Sequence, residues 1–135
     1  MKNLILLFIL CSTALLNAQS TQTDIKNYSF KYCYIRATES GKDVFIKPYG
    51  RNIEINYDEF LKSIEILYFD TSNEKKVIHF SFISDTPTGL WLMKDNFDKK
   101  YYVLNELKMK KFMFILSEKK ENFVITFEMT DTLKE

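Results

Sequence analysis

Tyr28-Ser29-Phe30-Lys31-Tyr32-Cys33-Tyr34 is the stretch that decides the fold. Aromatic residues hold every second position, with Ser29, Lys31 and Cys33 between them. Successive side chains of an extended strand point to opposite faces, so this spacing builds one aromatic face and one mixed face. The same period recurs down the chain. Glu39-Ser40-Gly41-Lys42-Asp43 reads as a hairpin turn, and Val44 to Lys47 as the returning strand. After Pro48 and Gly50, Ile53, Ile55 and Tyr57 alternate with Glu54 and Asn56. Ile64 to Phe69 is a nearly continuous apolar run, the pattern of a strand buried on both faces. Thr71 to Lys75 turns the chain into a further strand, Val77 to Ile83. Asp85-Thr86-Pro87-Thr88-Gly89 is the clearest loop. Leu90 to Met93, Tyr101 to Leu104, Phe112 to Leu116 and Phe123 to Met129 complete the set. About eight or nine short strands at this spacing predict an all-β fold, a small antiparallel sandwich or barrel. Alternation is the same in both, so it does not choose between them.

Two stretches read as short helices. Over 57–63, Asn56 would cap a turn with Glu59 three residues on, and Phe60, Leu61 and Ile64 would share a face. Over 103–110, Leu104 and Leu107 suit a helix, while Val103, Asn105, Leu107 and Met109 suit a strand; the helix is preferred.

The first eighteen residues are an address. Lys2 supplies a positive start, Leu4 to Leu16 is apolar, and Ala18 is a small residue at the expected cut, the pattern of a secretory signal peptide. The apolar run is shorter than the ~20 residues a membrane span requires. Cleavage after Ala18 or Gln19 leaves one domain, 27–135, behind a polar tail over 19–26. Phe8-Ile9-Leu10 ahead of Cys11 lacks the small residue that a lipoprotein cut needs. The protein is expected to work in the periplasm or outside the cell. Abundant Lys, Asn, Ile, Phe and Tyr beside three Gly and two Pro point to an AT-rich bacterial genome.

Charge excludes some partners. Removing Lys2 with the leader leaves eighteen basic and eighteen acidic residues, so no global field draws the chain to nucleic acid or an anionic membrane. Locally, residues 99–120 hold seven Lys against two Glu, and 51–74 hold Arg51 and Lys62 against six acids. The pairs Lys75-Lys76, Lys99-Lys100, Lys110-Lys111 and Lys119-Lys120 all sit at predicted turns or strand ends. Several at one end would make a basic rim; the plainer reading is strand-edge protection.

Candidate chemistry is sparse. Cys33 is the one thiol left after processing, so no intrachain disulfide forms, and His79 is the one histidine. A nucleophilic pair would have to be these two, yet both lie mid-strand, where buried thiols are ordinarily inert. No Gly-x-Ser-x-Gly elbow exists, and Gly41-Lys42 lacks the upstream glycine of a phosphate loop. One Cys and one His cannot build a zinc site. Asp95-Asn96-Phe97-Asp98 offers oxygens for calcium but lacks the spaced acids of a calcium loop, and reads as a polar turn. No metal, cofactor or catalytic residue is assigned.

The expectation is a non-enzymatic, exported protein-interaction module without stable membrane insertion. The alternative is a calyx-like carrier holding a small apolar ligand in a barrel cavity. Candidate contact residues for either are Tyr32 and Tyr34 on the aromatic strand, Thr86 in the loop, and Trp91 and Met93 beyond it.

Overall fold

The computed structural model describes residues 24–118, 120 and 122–135; the expected leader and cleavage site lie outside them. Eight antiparallel strands follow in chain order: β1 Ile25–Glu39, β2 Lys42–Asp58, β3 Ser63–Asp70, β4 Lys75–Asp85, β5 Trp91–Lys94, β6 Lys100–Glu106, β7 Lys111–Leu116 and β8 Phe123–Thr130. Each pairs with the next, and β1 also pairs with β8, so the sheet closes into a barrel rather than splitting into a sandwich. β1 begins at Ile25, which pairs with Asp58, so Ile25 and Lys26 belong to the barrel and not to the polar tail.

The interior is filled by the alternate residues that the period-two pattern marks. Phe114 is the hub. Its ring stacks on Phe127 at 4.5 Å and meets Phe80 and Tyr101 edge-on at 5.2 and 5.5 Å. Ile53, Ile55, Ile66, Met93 and Val103 are wholly buried around these rings. Burial of each such side chain contributes roughly 1.5–3 kcal/mol, and edge-to-face aromatic contacts add to it.

Several sequence expectations change. The aromatic face of β1 is not one face: Phe30 and Cys33, three residues apart, both belong to the core, and Tyr28 packs against it. The side-chain phase switches between them, so Tyr32 and Tyr34 lie on the outer wall. Opposite this point Asn52 takes a left-handed φ of 49°, and β2 slips register against β3 between Arg51 and Glu54. Such a bulge re-aims the side chains that follow it. Ile64 to Phe69 is buried on one face only, with Ile64, Ile66 and Tyr68 inward and Glu65, Leu67 and Phe69 partly exposed.

The helix expected over 57–63 is a tight turn. Asp58, not Asn56, receives the free amides: its Oδ1 accepts from Phe60 and Leu61, each at 3.0 Å. Asn56 stays in β2, donating across the sheet to Glu65. Over 103–110 the strand runs on to Glu106, leaving one 3-10 turn, Leu107–Met109, that seats buried Leu107 and ends at left-handed Lys110. The first hairpin turns at Ser40 and Gly41, both with positive φ (50° and 80°), joining the pair Glu39 and Lys42.

β1 and β2 are much longer than their neighbours, with 15 and 17 residues. β2 pairs with β3 only from Gly50 onward, so β8, β1 and β2 continue as a three-stranded ribbon beyond the point where β3 ends. Gly50 marks the junction. A β-carbon there would come within 2.6 Å of Cδ2 of Tyr68, whose ring crosses it inside the barrel. Gly50→Ala is expected to lower stability by about 1–3 kcal/mol, the usual cost of overpacking, read as a lower urea midpoint at unchanged m-value. An unchanged midpoint would mean that Tyr68 swings aside freely.

Candidate functional site

The two ends of the barrel differ. One end carries the start of β1 and the β2–β3, β4–β5 and β6–β7 connections; the other carries the remaining turns. At the first end, inward-facing aromatics rise to the surface. Trp91 lies 5.9 Å from Tyr57 and 5.6 Å from Phe82, ring centre to ring centre. The Lys62 ammonium sits 4.4 Å above Phe82 and 5.6 Å above Trp91, a cation–π arrangement. Tyr28, Tyr57, Trp91, Leu107 and Met109 line an open depression of about 440 Å³. Glu59 stands at its lip, bonded to Lys26 at 2.8 Å with Lys108 at 3.9 Å. The hydrogen bond from Lys26 holds the Glu59 carboxyl below its ordinary range and raises the lysine in return. Burial, aided by the Glu59 charge, raises the Tyr57 phenol and keeps it neutral.

Of the expected contact residues, Trp91 is at this depression and Met93 lies beneath it, fully buried in the core. Thr86 belongs to the same end but is spent on its own turn, where its hydroxyl donates to the Leu90 carbonyl at 2.7 Å. Tyr32 and Tyr34 are elsewhere, on the outer wall at the foot of the projecting ribbon. The Tyr34 hydroxyl accepts the Lys134 amide at 2.9 Å, and the ring is buried under the C-terminal segment.

Sequence reasoning missed the rim. Phe60 and Leu61, in the β2–β3 turn at this end, are 84% and 60% exposed, and Met109 at the depression is 66% exposed. Their signal was present, since both segments were ambiguous; a helical reading turned Phe60 and Leu61 toward the core.

No family profile, curated protein or solved structure matches the chain. What the barrel can do therefore rests on its own geometry.

Cys33 and His79 do not meet. Cys33 is in the core, whereas His79 is on the exposed face of β4, with Nδ1 3.5 Å from Glu65. His79 ends a cross-strand polar row, Asn27, Asn56, Glu65 and His79, along a shallow groove. The Asp95 carboxylate is occupied by its turn, its Oδ1 accepting the amides of Phe97 and Lys99 at 2.8 and 3.0 Å. Asp70 fastens the turn to β4 in the same way, through Ser72 and Glu74. Lys75, Lys76, Lys99, Lys100 and Lys120 lie at the end opposite the aromatic one, Lys119 being outside the described residues. Acids are interspersed with them there. Lys76 contacts Asp70 and Glu74, and Asp98 lies 3.4 Å from Lys94.

Burial, with a smaller push from the Glu128 charge, drives the Cys33 thiol up to about 12 from an ordinary 9.0. Burial first, then Asp95, takes Tyr101 up to about 12. Both groups fold neutral and ionise more readily when unfolded. Stability is accordingly full below pH 9 and falls as pH rises from 9 toward 12. Cys33→Ala is expected to flatten the first part of that decline in alkaline urea titrations, leaving the tyrosine part. The native thiol should be inert to alkylation at pH 8 and react only in denaturant; rapid native labelling would contradict its burial.

Proposed function

We propose that this chain is an exported, non-enzymatic binding module that engages a protein partner through the aromatic end of its barrel. The observation that carries the reading is the exposure of Phe60, Leu61 and Met109 at the barrel end that holds the Trp91 depression. Clustered apolar side chains in water are costly, and on a small soluble domain they mark a surface that is covered in use. Trp91 and Tyr57 supply rigid, large contact areas of the kind that anchors interfaces. Lys26, Glu59 and Lys108 give that surface a charged border, as binding patches have.

The carrier reading is narrowed. The Phe114–Phe127 stack occupies the mid-barrel space in which a calyx would hold its ligand. The depression of about 440 Å³ is large enough for part of a small apolar molecule, and this supports a small ligand as the second reading.

The double variant Phe60→Asp/Leu61→Asp leaves the core untouched. Crosslinking in the exported fraction should show a partner held by the wild type and lost by this variant, with thermal unfolding of the two coinciding within a few degrees. Binding should survive Cys33→Ala and His79→Ala. A partner retained by the aspartate variant would overturn the reading; a bound species of a few hundred daltons in native mass spectra, lost with Trp91→Ala, would favour the carrier.

Export supplies a separate check. The protein recovered outside the cytoplasm should have Gln19 or Ser20 as its first residue, read by intact mass. A full-length mass confined to the cytoplasm would remove the localisation.

A further inference from the structure

The barrel closes without using the outer edge of β2 at its start. From Lys42 to Tyr49, β2 pairs with β1 alone, because β3 pairs only from Gly50, opposite Asp70. No other described turn or loop backbone bonds to this stretch. Closure ordinarily removes edges from a barrel, so backbone donors and acceptors left along this one are open to another strand. Val44 and Ile46, 54% and 40% exposed, lie along it.

A second feature adjoins the edge. Where β2 parts from β3, the outer wall holds a mainly apolar pocket of about 380 Å³, lined by Tyr32, Tyr34, Pro48, Arg51, Asp70 and Leu133. Strand addition gains its affinity from main-chain bonds and its selectivity from pockets that take alternate side chains. Here the two lie end to end. Charge selects the occupant. Lys47 and Arg51 are in no ion pair among the described residues, the Arg51 guanidinium donating only to the Asn73 amide oxygen. The acids nearby are engaged: Asp43 lies 3.8 Å from Arg36, and Asp70 fastens its turn. A second copy would bring the same net positive edge (Lys42, Lys47 and Arg51 against Asp43) up to itself, whereas an acidic strand would meet it favourably.

We propose that the free edge of β2 takes up an extended peptide as an added strand, with an apolar side chain in the Tyr32–Tyr34–Leu133 pocket and an acidic residue facing Lys47 or Arg51. Lys47, Pro48 and the register shifts at Val44 and Tyr49 keep the edge short, which blunts open-ended stacking but leaves room for a few residues of peptide. This surface is separate from the aromatic end, so each can fail without the other.

The probe is a random twelve-residue peptide display library selected on the folded barrel. Enriched peptides should combine a large apolar residue with nearby Asp or Glu among strand-forming neighbours. A synthetic copy should slow amide exchange in 42–50 at least tenfold, and N-methylation at alternate residues should abolish binding. Arg51→Glu should weaken it at least tenfold with unfolding temperature unchanged, and Phe60→Asp/Leu61→Asp should leave it intact. The proposal is overturned if nothing enriches, if the peptides protect the aromatic end instead, or if N-methylation has no effect. It is equally overturned if residues 42–50 are already protected, without peptide, in a concentration-dependent dimer.

Discussion

An eight-stranded barrel has an interior only as wide as the side chains that fill it, and here that width is set by Phe114. Its ring touches Phe80, Tyr101 and Phe127, from strands on both sides of the lumen, so one residue couples strands that never pair. The remaining inward positions follow from its size. Ile53 and Ile55 on β2, Ile64 and Ile66 on β3 and Met93 on β5 occupy the space the rings leave, and none of them is exposed by more than 1%. With the middle taken, apolar surface available for recognition is pushed to the ends and the outer wall. Function in this fold is therefore sought where the strands stop agreeing in length.

The strands themselves were legible because a one-residue slip would expose a whole hydrophobic face, and Ile53, Ile55, Phe80, Phe112 and Phe127 all keep the alternation. Barrel closure was not legible. It depends on β1 finding β8, a pairing between residues far apart in sequence that local pattern does not encode. The phase switch at Tyr32 was also hidden: it falls opposite Asn52, a left-handed residue on the partner strand, where β2 slips against β3, and the local pattern of β1 does not encode that. Asn56 and Asp58 show the same limit: two capping residues stand two positions apart, and strand pairing with Glu65 decided which was free to cap. Of the candidate site, Trp91 was found through its loop, whereas Phe60, Leu61 and Met109 were hidden by a wrong helical phase.

Two aspartates, Asp70 and Asp95, build the same five-residue turn at the same end, each carboxylate holding amides two and four residues on. Left-handed residues, Asn73 and Asp98, occupy the fourth place in both. With glycine scarce, side-chain oxygens and Asn or Asp backbones do the work that glycine does in other hairpins. The consequence for charge is direct. Acids that look available in the sequence are held as turn fasteners, and lysines at the same end find them as neighbours.

The closing seam has a kinetic meaning. Tyr34 of β1 and Lys134 beyond β8 are joined by a hydrogen bond across a separation of 100 residues. Every other strand pairs with its sequence neighbour and can zip as a hairpin, but the seam must wait for the last strand to arrive. Before that, β1 is an open template with half its ladder unmade, in a chain rich in strand formers. The time between translation of the first strand and arrival of the last is thus the interval of greatest aggregation hazard. Once the seam is made, the C-terminal segment seals the outer side of Tyr34 like a latch, linking retention of the closed state to the final residues of the chain.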